Sequence, residues 1–110
     1  MKNLIEELYK SKLVKVTGSY ADGTQHNDSD IDFFVKEDKE FVEYEDRNII
    51  KLISILNKFK IKWNSNLPNT ISTIGSKNDL EKELEFSNIY RKRKNKLKRV
   101  NIYGFEFMTH

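Results

Sequence analysis

Apolar residues along this chain fall into two rhythms, one with helical spacing and one that alternates. Leu4, Ile5 and Leu8 form a helical stripe, so the chain is predicted to open with a short helix that Asn3 can cap. Leu13-Val14-Lys15-Val16-Thr17 reads as a first strand and Phe33 to Val35 as the core of a second. Between them lie Gly18-Ser19, ten mostly polar residues, and Asp30-Ile31-Asp32. This reads as strand, tight glycine turn, polar loop, strand. Lys36-Glu37-Asp38-Lys39 is a charged exit from the sheet.

A wider helical stripe follows. Ile49, Ile53 and Leu56 stand at i, i+4 and i+7, and Leu52, Ile55 and Phe59 broaden the face. The predicted helix runs over 46–59, with Phe41, Val42 and Tyr44 as a backward extension. Lys60 to Trp63 alternates as a strand, 64–69 with Pro68 is a loop, and 70–74 is a short strand. A turn is expected over 75–79. Residues 80–87 then alternate, with Leu80, Leu84 and Phe86 on one side and Glu81, Glu83 and Glu85 on the other. The basic run 91–99 is read as a long hairpin loop. Val100, Ile102, Phe105 and Phe107 suggest a last strand interrupted at Gly104.

Helix, strand, strand, helix and then several strands predict an α+β fold: a mixed β-sheet with helices packed mainly on one face. With 110 residues the chain is expected to be a single domain over 1–110. A hydrophobic fraction of 37% against 34% charged residues allows only a modest core. No apolar run is long enough to span a bilayer, and the first residues lack the apolar stretch of a secretory signal. The absence of cysteine excludes disulfides and thiolate metal sites and fits a cytoplasmic protein. The net charge of +3 hides an acidic stretch over 37–46 and the basic run over 91–99. Such patches, more than the net value, steer partners.

The candidate chemistry sits between the first two strands. Asp30 and Asp32 are two apart, so on a strand they share a face. Like charges held side by side favour a cation beside them. Gly18 permits a sharp turn and close ligand approach, and Ser19 adds a hydroxyl and an amide. Carboxylates facing phosphate oxygens need a metal between them, and hard oxygen donors favour magnesium, with manganese as a substitute. His26 lies in the loop and reads as a solvated residue, and two histidines do not make a zinc site. Trp63 and Tyr20 are candidates for base stacking, though core packing accounts for them as well.

Gly18-Ser19, the ten-residue gap and Asp30-x-Asp32 resemble the signature of the DNA polymerase beta nucleotidyltransferase superfamily. Ala21, Gly23 and Ser29-Asp30-Ile31-Asp32 are similar to its minimal, antitoxin-like branch. The resemblance covers residues 18–35. It implies a metal-dependent nucleotidyltransferase that binds an NTP, ATP being the expected one, through Gly18 and Ser19. It also implies a pair of magnesium ions on three acids, two of them Asp30 and Asp32. The third acid belongs on a later, neighbouring strand. Glu85, set between Leu84 and Phe86 as Asp32 is between Ile31 and Phe33, is the first choice, with Glu83 and Glu106 as alternatives. All three glutamates also read as the wet side of half-buried strands.

The implied reaction moves a nucleoside monophosphate onto a hydroxyl of a protein or RNA acceptor and releases pyrophosphate. Larger relatives carry an extra helical domain, so a partner protein or a second copy in a homo-oligomer is expected to supply it. The competing expectation is a catalytically weak or inactive module of the same fold that binds RNA or a protein through residues 91–99.

Overall fold

The computed structural model describes residues 1–36, 46–65, 70–74, 80–88 and 97–110. The chain starts with helix α1 (Lys2–Ser11), which buries Leu4, Ile5 and Leu8. Asn3 lies inside this helix and does not cap it; Met1 holds the cap position, with no side-chain hydrogen bond. Strand β1 (Val14–Thr17) runs directly into a short helix α2 (Gly18–Asp22), then the loop, then β2 (Ile31–Val35). The expected tight turn at Gly18 is therefore the first residue of a helical turn. Gly23 closes that turn in the left-handed region, its N–H donating to the Ser19 carbonyl.

Helix α3 (Arg47–Lys58) is the second cover of the sheet. The Asp46 carboxylate caps it, accepting from the N–H groups of Asn48 and Ile49 at 2.9 and 3.4 Å. Asn48 Nδ2 donates to the Lys36 carbonyl at 2.7 Å and so ties the helix to the exit of β2. The C-terminal end explains why the next strand starts later than expected. Lys60 takes φ 57°, and the N–H groups of Lys60 and Ile61 bond back to the carbonyls of Asn57 and Leu56. These two bonds form a Schellman closure. Residues 60 and 61 thus finish the helix, and β3 is Trp63–Ser65.

β4 (Thr70–Thr73) and β5 (Leu84–Ser87) complete a five-stranded sheet in the order β1-β2-β5-β4-β3. β2 and β5 are parallel and the other pairs antiparallel, so the sheet is mixed, as expected. The expected strand over 80–87 contracts to its second half, because residues 81 and 82 bend. The Lys82 ammonium at the bend donates to the Asn27 carbonyl of the loop before β2 at 2.5 Å.

β6 (Arg99–Ile102) and β7 (Phe105–Met108) form a separate two-stranded sheet. The expected interrupted strand is thus a hairpin. Tyr103 and Gly104, at φ 52° and 94°, make its two-residue turn. β5 pairs with β2 and β4 and not with β6, so the strands on either side of the basic run do not form the expected hairpin. Residues 91–96, the turn expected over 75–79 and the acidic residues 37–45 lie outside the described residues. Beyond β7, Thr109 bridges Val16 in parallel and the His110 N–H donates to the Val16 carbonyl at 2.9 Å.

One core joins these parts. Ile31, Phe33 and Val35 point to its side of β2, with Val16, Leu84, Phe86 and Ile71 beside them. Helix α1 packs onto this core through Ile5 and Leu8, and α3 through Leu52 and Leu56. The rings of Phe33 and Phe86 stack at 5.2 Å, and Phe107 meets Phe33 edge-on at 5.6 Å. Both long helices therefore cover the same face and leave the opposite face for chemistry.

Candidate active site

Strand register builds the site. Thr17 pairs with Asp32, Asp32 with Glu85, Glu85 with Ser72, and Ser72 with Asn64. Directly paired residues share a face, so one polar row crosses all five strands with the two acids at its centre. Neighbouring strands lie about 4.8 Å apart, which fixes the backbone spacing of Asp32 and Glu85. The adjacent row, Val16-Phe33-Phe86-Ile71, belongs to the core. Both acids are half-buried.

Gly18 stands over this row. A Cβ built there would lie 2.1 Å from Asp32 Oδ2, and the residue holds φ 72°. Only glycine lets the β1–α2 corner approach the carboxylate so closely. Ser19 follows as the second residue of α2, half-buried. The expected neighbourhood of the Gly-Ser corner and Asp32 is therefore present.

Asp30 differs in detail from its expectation. It is the exposed residue preceding β2, not a strand residue, because ladder pairing begins with the Ile31 N–H donating to the Glu83 carbonyl at 3.0 Å. The loop before it is organised by His26. The His26 N–H donates to Ser29 Oγ at 2.9 Å, the Ser29 N–H returns a bond to the His26 carbonyl at 3.0 Å, and His26 Nδ1 accepts from the Asp28 N–H at 3.2 Å.

The alternative glutamates are placed elsewhere. Glu83 precedes β5 and is exposed. Glu106 is on β7 in the other sheet, where Asn101 Nδ2 approaches its carboxylate at 3.4 Å. Trp63 lies on β3 at the far edge of the sheet from β1, its indole N–H bonded to Asn57 Oδ1 at 3.1 Å. Tyr20, on α2, borders a cavity of about 150 Å³ with Ile102 and Tyr103. The Tyr103 hydroxyl donates to Glu81 Oε2 at 2.6 Å. Burial, then that bond and the nearby carboxylate charge, push the phenol up to about 12.

Three neighbours of the acids were not anticipated from sequence. Thr17 and Ser72 flank them in the row; Ser72 is the polar alternate of the expected strand 70–74, a signal visible only once register is known. His110 stacks its ring on Phe34 at 3.6 Å and 3°, two residues along β2 from Asp32.

The carboxylate donors suit a hard divalent cation in kind, and the absence of a side chain at Gly18 makes room for one of them, that of Asp32. Among the described residues no three His, Cys, Asp or Glu side chains are gathered closely enough to hold a metal ion as they stand.

The sequence matches the nucleotidyltransferase domain family over residues 1–100. The chain belongs to that family. No curated protein and no solved structure gives a significant match. A nucleotidyltransferase domain brings general nucleotidyl transfer with it, and its mixed sheet with helices is the one described above. No helix among the described residues of this nucleotidyltransferase domain is long and apolar enough to cross a membrane.

Proposed function

We propose that this nucleotidyltransferase domain transfers a nucleoside monophosphate from an NTP, with ATP as the expected donor, to a hydroxyl of a protein or RNA acceptor. The reading is carried by one observation: Asp32 pairs with Glu85 across β2 and β5 while Gly18 closes over the Asp32 carboxylate.

In this reading the backbone amides of Gly18 and Ser19 receive the triphosphate at the β1–α2 corner, beside the Asp32 carboxylate that takes the place of a Gly18 side chain. Asp30, Asp32 and Glu85 hold magnesium through hard oxygen donors. When bound, the metal supplies charge neutralisation for the phosphates and for the leaving group. Glu85 faces the acceptor and assists loss of its hydroxyl proton. The acceptor oxygen forms a bond to the α-phosphorus, the bond from that phosphorus to the bridging oxygen breaks, and pyrophosphate leaves. The polar row supports this assignment, because it sets Glu85 beside Asp32 and Glu106 in another sheet.

The test is pyrophosphate release and transfer of label from α-labelled ATP with magnesium, comparing the native chain with Asp32→Ala and Glu85→Gln. Asp32→Ala is expected to lower the rate about a hundredfold or more. Equal rates in all three would overturn the proposal. Nucleotide binding without transfer in the native chain would favour the binding-module reading. That reading draws on the same acids not being gathered into a metal-holding group.

A further inference from the structure

A groove of about 690 Å³ opens where the end of α1, the start of β1 and the β6–β7 hairpin meet. Lys12, Lys15 and Arg99 line it, with Glu106 as its carboxylate. Lys10 lines it too and is paired with Glu6 at 3.1 Å. Two large apolar side chains stand exposed in the same wall, Tyr9 at 41% and Met108 at 52%. The Tyr9 ring is held by Phe105 and Phe107, each at 5.3 Å between centroids. A braced, exposed aromatic ring among cations is not explained by the core.

We infer that this groove binds a single-stranded nucleic acid, with a base on Tyr9 and phosphates on Lys12, Lys15 and Arg99. Charge selects a polyanion, and the ring selects one with planar groups to stack. An acidic peptide satisfies the cations and leaves the ring without a matching partner. Duplex bases are already stacked and cannot cover it. The groove is at the opposite end of β1 from Gly18. Lys15 and Gly18 are about 10 Å apart along the strand, so the inference does not rest on the catalytic reading.

Fluorescence anisotropy of a labelled oligouridylate against the full chain tests it. The native chain is expected to bind with strong salt dependence. The triple variant Lys12→Glu, Lys15→Glu, Arg99→Glu should lose at least about tenfold in affinity, and its log–log salt slope should shrink by about 2. Tyr9→Leu, which keeps an apolar side chain against Phe105 and Phe107, should lose about tenfold with the slope unchanged. Unchanged binding in both variants overturns the inference, since attraction would then run through other cations. Competition by polyglutamate as effective as that by unlabelled oligouridylate overturns it as well, because charge alone would then account for binding.

Discussion

Gly18 carries a hydrogen where any other residue would drive a carbon into the Asp32 carboxylate. Two penalties coincide at this position, a left-handed backbone and a steric clash at 2.1 Å. Gly23 shares only the first: at φ 74° its nearest neighbour to a built Cβ is Leu97 Cδ1 at 3.6 Å. Gly23→Ala should therefore cost about 1 kcal/mol of stability with nucleotide affinity retained, while Gly18→Ala should lose nucleotide affinity too. Urea denaturation beside a nucleotide titration separates the two effects. Tyr103 supports a different prediction. Its phenol is pushed up to about 12, so the folded state favours the protonated form. The stability this contributes is present below the ordinary tyrosine pKa of about 10 and fades as pH rises toward about 12. Denaturation midpoints across that range should fall in the native chain and fall less in Tyr103→Phe. Gly18 was legible in the sequence because its neighbours form a pattern. The Tyr103–Glu81 bond was not, since it joins residues 22 apart through a hairpin turn that sequence spacing does not reveal.

Among the elements, α3 is the one whose sequence and structure agree most closely. Its apolar stripe gave both the length and the buried face, and Asp46 supplied the cap. Asp46→Ala should cost about 1 kcal/mol, read from the thermal or urea midpoint. At α1 the same logic chose Asn3 for the cap, yet the cap position falls two residues earlier, at Met1, where no side chain caps the helix. Strand ends were harder to read. Alternation over 80–87 continues through a segment that bends, and alternation over 60–63 includes two residues that close α3. Apolar spacing reports which side a residue faces and cannot report where backbone pairing stops. The pairing of β2 with β5 should be the most sensitive to core truncation. Phe33→Ala removes a ring packed on both Phe86 and Phe107 and should cost about 3–5 kcal/mol in a denaturation experiment.

At the scale of the molecule, fold class followed from the order of elements, whereas register did not. Nothing in Leu84-Glu85-Phe86 fixes its partner strand, and a slip of two residues would have set Glu83 beside Asp32. Tertiary contacts decide the matter, through the shared layer of Phe33 and Phe86. The helical cover on one face was legible from the alternation and the helical stripes, whereas the polar row that joins Thr17, Asp32, Glu85 and Ser72 waits on register. Chelation belongs to this scale, because it acts on the assembled face. Removing divalent ions with EDTA should abolish transfer from labelled ATP, and added magnesium should restore it, while the circular dichroism spectrum stays unchanged. The surface pair of Lys58 and Glu7, at 3.1 Å between the two long helices, should matter little, since exposed ion pairs contribute at most about 1 kcal/mol.

The His110 N–H bonded to the Val16 carbonyl, with Thr109 bridged to Val16 beside it, occupies the outer side of β1. Chain-to-chain templating needs a row of unsatisfied amides and carbonyls, and one flank of the large sheet is closed to it there. Within the large sheet, growth into a fibre would have to begin at the other flank, on Trp63-Asn64-Ser65, a segment too short to offer a strong seed.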